Sequence, residues 1–293
     1  MQQVDPNHIN AQRELAHTLM LHERYEIAER HFEALLKIDQ NEHMRDDYRA
    51  FLRRIDQNKP RRISGHFSFL PSTNVNRGTT HSVFDTTRGL FVINPESQAE
   101  SGIGIQFGLS GHFRRLVNPQ SRISLNWGIT EKQYEQEVFN SSTKSVAISY
   151  EKLTNKGDWF ISPYHRITRR KDDGDNDATG LHWGLSRRLD LKNQLIFSVK
   201  HEYIHFFNNR SYKDGPFSAF SASLNHQVNP GFAISGGVGF EQSGPEASHL
   251  QYDAHKLFSS LVKKWKGGLQ TKFGVELGKR NFSGVVEIFE VIE

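Results

Sequence analysis

QLIFSVKHEYIHFF, residues 194–207, decides the fold because it reads in two incompatible ways. As a helix it would bring His201 and His205 onto one face, one turn apart, with Glu202 between them. That is the signature of zinc proteases, in which the histidines share a metal and the glutamate activates its water. As a strand it again puts both histidines on one face, but four residues at about 3.3 Å each separate them by about 13 Å. Zinc–nitrogen bonds of about 2.0–2.1 Å cannot span that gap. The extended form of the protease motif also wants Gly and His where Asn208 and Ser211 stand. The protease reading survives only if 194–207 is a helix, and the surrounding sequence must decide.

From Arg61 onward the apolar period is 2. In SGIGIQFGLSGHF (101–113), Ile103, Ile105, Phe107, Leu109 and Phe113 alternate with Gly, Gln, Ser and His. SRISLNWGIT (121–130), GLHWGLS (180–186), GFAISGGVGF (231–240) and GLQTKFGVELG (268–278) repeat the pattern. One apolar and one polar or glycine face per run is the mark of half-buried antiparallel strands. The joints carry more information. Short turns near 117–120, 154–157, 190–193, 228–231 and 266–268 alternate with long polar stretches near 71–99, 131–142, 170–177, 207–215 and 242–253. A soluble all-β domain has no reason to alternate its connections in this way, whereas a transmembrane β-barrel has tight turns on one side and long loops on the other. The pattern predicts a mainly β chain: an antiparallel transmembrane β-barrel over 61–293, with 194–207 as one of its strands.

Residues 11–56 follow a helical period instead. Leu15, Ala16, Leu19, Tyr25, Ala28, Phe32 and Leu35 have the spacing of a tetratricopeptide helix–turn–helix, with small residues where the helices touch. A further helix places Met44, Tyr48, Phe51, Leu52 and Ile55 on one stripe. An ordinary helical hairpin is the alternative. The chain thus divides into a short tetratricopeptide-like α-helical region, 1–58, and the β region, 61–293. A single repeat cannot bury both faces, so the helices should pack on something else.

Composition narrows the function. The 37 Lys and Arg against 33 Asp and Glu give a net charge of only +4, and the basic residues are scattered, which argues against nucleic acid. Zero cysteines exclude disulfides and thiolate metal sites. No apolar run reaches the length of a membrane helix, and the opening MQQVDPNHIN does not read as a signal peptide. At face value this is a soluble chain, but 21 Phe and 23 Gly without long apolar runs resist that reading. His112, His182 and His226 are expected on the lumen face. RRKDDGDND (169–177) lacks the spacing of a calcium loop, and SGPEASH (243–249) offers Ser and His with no partnered acid. Both read as loops. No catalytic, metal or cofactor residue is singled out.

At the junction, FLRRIDQNKPRRISGHFSFLPSTNVNRGT (51–79), a helix ends, a basic linker follows, and a strand runs into Pro71, Ser72, Asn74 and Asn76. This resembles the surface lipoprotein assembly modulator (Slam) family of Gram-negative bacteria, in which a periplasmic tetratricopeptide region precedes an outer-membrane barrel. The resemblance covers essentially the whole chain, and the junction is its one specific motif. It implies an outer-membrane factor that delivers lipoproteins, or secreted haem- and iron-binding client proteins, to the cell surface. It further implies a barrel that contacts outer-membrane lipid and is a monomer when intact, with no covalent chemistry. Asn74 and Asn76 read as turn-stabilising side chains. Eleven strands are expected up to Phe282, with a partial twelfth in SGVVEIFEVIE (283–293), against about fourteen implied by the family. On that count the chain reads as a fragment short of about three strands and its export signal, and it should form an open, curled sheet with two free edges. A passive porin-like barrel with a periplasmic helical extension is the alternative function.

Overall fold

A computed structural model describes residues 8–76, 82–86, 89–94, 98–118, 120–154, 157–171, 174–229, 231–265 and 269–283. Three helices come first: α1 (Ile9–Leu21), α2 (Tyr25–Ile38) and α3 (Glu42–Asn58). Asn41 caps α3, its side-chain oxygen accepting from the backbone N–H groups of His43 and Met44. Ala16 and Met20 of α1, Ala28, Phe32 and Leu35 of α2, and Tyr48 and Ile55 of α3 form one buried cluster. The rings of Phe32 and Phe51 stack at 5.0 Å. Leu19 and Tyr25 pack against this cluster, whereas Leu15 is 46% exposed.

The β region begins with β1 (Arg61–Ser72), followed by a small hairpin of β2 (Val83–Thr86) and β3 (Gly89–Val92). The long strands are β4 (Gly102–Asn118), β5 (Ser121–Tyr134), β6 (Ser141–Thr154), β7 (Gly157–Arg170), β8 (Asn176–Arg188), β9 (Asn193–Phe206), β10 (Gly215–Asn229), β11 (Phe232–Ser243), β12 (Tyr252–Lys264) and β13 (Gln270–Phe282). Apart from the β2–β3 hairpin, all of them form one antiparallel sheet of 11 strands, in sequence order from β1 to β13. At 12 to 17 residues each strand exceeds the 9–11 or so that a tilted membrane strand needs. Short and long connections alternate along the chain, as the sequence predicted. Among the described residues β1 and β13 are edges, and the sheet is not closed into a barrel. The partial twelfth strand expected in 283–293 falls almost wholly outside the described residues.

Register assigns every side chain to a face. Leu109 opposes Ile129, Leu125 opposes Ile148, Phe220 opposes both Val199 and Phe240, and Leu257 opposes Leu277. This face is apolar and faces outward: Phe69 is 70% exposed and Leu257 58%. The inner face is polar; it is covered at Ser124 (1%) and Glu202 (2%) and open toward the edges, as at Ser64 and Lys272. The arrangement inverts that of a water-soluble protein. Each large apolar side chain left in water forgoes about 1.5–3 kcal/mol of burial. A contiguous apolar band exposed on one face marks a surface that other apolar matter, lipid or protein, covers.

Candidate functional site

The helical unit rests on the inner face of the sheet, at the end where the short turns lie. α3 leads directly into β1, and the join is ionic. Glu29 of α2 and Asp56 of α3 are buried, at 5% and 6% exposure. Glu29 accepts from Arg62 of β1 at 3.1 Å and from Arg114 of β4. Asp56 accepts from Arg122 of β5 at 3.0 Å and lies 3.5 Å from Arg114. Arg122 also reaches Glu151 of β6 at 2.7 Å. Three carboxylates and three guanidinium groups thus form one chain of contacts that ties both helices to four strands. All three arginines point inward because strand side chains alternate and they share the parity of the polar face.

On the far side of the unit, α3 contributes Arg45 and Arg49, both buried. Arg45 donates to the carbonyl oxygens of Leu36 and Asp39. Burial, together with repulsion from Arg188 and Arg49, pulls its guanidinium down to about 10. Arg188 of β8 donates to the same Leu36 carbonyl at 3.4 Å. Within the unit, burial alone would push the Asp39 carboxyl up. Hydrogen bonds from Tyr48 at 2.5 Å, the Asn41 backbone and Arg13 outweigh burial and hold it below the usual range.

Further along the inner face, Glu202 accepts from Tyr164 at 2.6 Å, Lys200 at 2.8 Å and Arg166 at 3.3 Å. Gly180 makes room for it: a Cβ there would meet the Glu202 Cβ at 2.6 Å. The zinc signature is thereby taken apart. Residues 194–207 lie in β9 and its end, with His201 and His205 on the outer face and Glu202 on the inner one. His201 bonds Ser218 at 2.8 Å, and His205 bonds Asp214 at 2.6 Å. No cluster of three or more metal-ligating side chains occurs among the described residues. Asp175 of the acidic loop is held by Arg169 at 2.8 Å.

His112 and His182 lie on the inner face, as expected. His226 does not. It shares the outer face with Leu224 and Ile234 and bonds the Asn193 side chain at 2.8 Å. It has the same parity in β10 as Phe220 and Leu224, so the period of 2 itself turns it to the outer face, beside the bulge at Gln227/Asn229. Pro71 and Ser72 end β1, and the Ser72 hydroxyl accepts from the Asn74 N–H at 3.1 Å. The Asn76 side chain clamps the returning chain, donating to the Gln98 carbonyl at 2.6 Å and accepting from the Glu100 N–H at 3.0 Å.

An open-faced sheet with a helical unit on its polar side is an architecture that many functions could use, and similarity decides among them. A family model described as surface lipoprotein assembly modifier matches residues 62–291. The chain belongs to that family. Membership implies a role in surface lipoprotein assembly; it is an assembly and transport family, not an enzyme family. The match begins at Arg62, itself a member of the ionic seat, and covers the sheet but not the helices. No curated protein matches the chain. The surface lipoprotein assembly modifier family suggests the outer membrane, and no helix among the described residues is long and apolar enough to cross one.

Proposed function

We propose that the chain is an outer-membrane factor that delivers lipoproteins, or haem- and iron-binding client proteins, to the bacterial cell surface. The β region, 61–293, spans the membrane as part of a barrel, and the tetratricopeptide-like helices, 1–58, hold the client on the periplasmic side. One observation carries the reading. The sheet has an apolar exposed outer face and a polar inner face, and its short-turn end bears a helical unit on the inner side. In membrane barrels the short turns are periplasmic, so the helices stand where a client arrives and the 73–101 and 244–251 connections reach outside. A passive pore gains nothing from helices lying over its inner face.

The test is surface display. The chain is expressed in a Gram-negative host with a lipoprotein encoded beside its gene, and the lipoprotein is scored on intact cells by antibody or protease. Display that depends on the chain is the expected result. Unchanged display together with altered permeability to small solutes would establish the porin-like alternative.

A further inference from the structure

A cavity of about 520 Å³ lies between α2 and the inner face of the sheet, reaching from β8 across to β13 at the short-turn end. The volume is that of an ordinary ligand pocket, about 300–1,000 Å³. Its lining is lopsided in charge. Arg30 and Lys37 come from the helix, and Arg188, Lys192, Lys264 and Lys272 come from the sheet and its turns. Glu33 is the single carboxylate among these lining residues. Burial and the neighbouring Glu29 push that carboxyl up, against the pull of Arg114, Lys37 and Arg122. None of the six cationic side chains is in an ion pair among the described residues. The Arg188 Nη1 atom is shielded from solvent and has no hydrogen-bond partner there. The seat described above, a few residues away on α2, has its charges matched one for one. This cavity sets six cations against one lining carboxylate, and such an excess of like charge repels unless an anion joins it.

We propose that this cavity binds an acidic, extended peptide segment of the client, with its carboxylates shared between the helix wall and the sheet wall. The inference rests on the client-delivery reading and names the chemistry by which the client is held. A peptide fits better than a lipid phosphate for two reasons. The cavity opens on the polar inner face, whereas lipid would meet the apolar outer one. Its cations are also spread over two facing walls, with Ile38, Leu191 and Val262 between them, which suits several carboxylates on aliphatic stems.

The test uses the full 293-residue chain folded in detergent, with a fluorescent peptide of alternating Asp and Glu as probe and a Gln-only peptide as control. The acidic peptide should bind at least about tenfold more tightly than the Gln peptide, with an affinity that falls as salt rises. Lys37→Gln with Lys264→Gln should weaken binding at least about fivefold, and Lys37→Arg with Lys264→Arg should restore it. Lys171→Gln, at the opposite end of the sheet, should change nothing. Equal binding of the two peptides, or indifference to the Gln substitutions, overturns the proposal. So does displacement of the peptide by inorganic phosphate at constant ionic strength, which would assign the cavity to phosphate. Peptide binding is read without any client, so its failure beside intact surface display would reject this site alone. Failure of display with intact peptide binding would reject the delivery reading.

Discussion

Removing the charge of Glu29 tests the ionic seat most directly. In Glu29→Gln the volume is kept, but the amide offers one acceptor and no charge to Arg62 and Arg114. Taking one partner from a buried ion pair costs about 3–5 kcal/mol. Here the lower end applies, because the two arginines retain 21% and 16% side-chain exposure and Arg114 keeps Asp56 at 3.5 Å. A loss of about 3 kcal/mol raises the undocked population of the helical unit about a hundredfold. The chain has no cysteine, so Ser124→Cys supplies a unique reporter on the inner face, 1% exposed; because its hydroxyl donates to Glu151 of the seat at 3.2 Å, the reference is the Ser124→Cys chain with Glu29 intact. Maleimide labelling there follows the undocked population when redocking is fast. The labelling rate should rise by about two orders of magnitude in Glu29→Gln. Replacing the pair together, as Glu29→Met with Arg114→Met, should recover much of the loss, since well-packed apolar substitutes for a buried pair are often neutral. A rate change below about threefold, or a double variant as damaged as the two single variants summed, would refute the seat as what holds the helices.

Four further outcomes are expected. Phe32→Ala should cost the helical unit about 3–5 kcal/mol in thermal melts followed by circular dichroism, whereas Leu15→Ala, half-exposed, should cost less than about 1 kcal/mol. Asp39 is held below the usual carboxylate range, so the stability it lends is present above its unfolded value of about 3.9. That stability is lost as pH falls through the lower folded value. The helical signal should therefore melt earlier at pH 3 than at pH 5, and Asp39→Asn should flatten the difference. Leu125→Lys, on the outer face, should lower stability in lipid vesicles by about 2–4 kcal/mol in urea titrations, while Asn126→Lys on the inner face should cost under half of that. His201→Ala with His205→Ala should leave folding and surface display intact. Elemental analysis should find no zinc bound in stoichiometric amount to the unmutated chain, and one retained equivalent would reopen the metal reading.

Strands were legible because one face of each repeats an apolar residue at every second position, and the alternation of turns fixed which end each connection belongs to. The same rule decided HEYIH, since a period of 2 across 194–207 puts Glu202 opposite the two histidines. At His226 polarity and parity disagree, and parity, shared with Phe220 and Leu224 of the same strand, decides the face. In α1 the buried pair is Ala16 and Met20, so Leu15, turned about 100° from Ala16, falls toward solvent. The seat could not be read from the sequence. Glu29 meets Arg62 and Arg114 across 33 and 85 positions, and Asp56 meets Arg122 across 66. Only the curl of the sheet brings them together. What the sequence does show is a pair of acids inside apolar stripes, Glu29 beside Ala28 and Asp56 beside Ile55, and buried carboxylates require partners.

The kind of contact at the join bears on how the helical unit could work. Among the described residues its apolar cluster is drawn wholly from α1, α2 and α3, and no strand residue enters it. The unit therefore keeps its core whether or not it touches the sheet. Docking rests chiefly on desolvated ion pairs, in which Coulomb attraction roughly balances the loss of hydration, with the Arg188 bond to the Leu36 carbonyl beside them. An apolar join of the same extent would weld the helices down, because separating it would expose hydrocarbon to water. An ionic join separates into two surfaces that water solvates well, so undocking unfolds neither part. It is also specific, since carboxylates and guanidinium groups must be matched in number and position for the pairs to form. The proposed holding role would use both properties: a defined seat, and a free energy of docking small enough for binding beside it to shift.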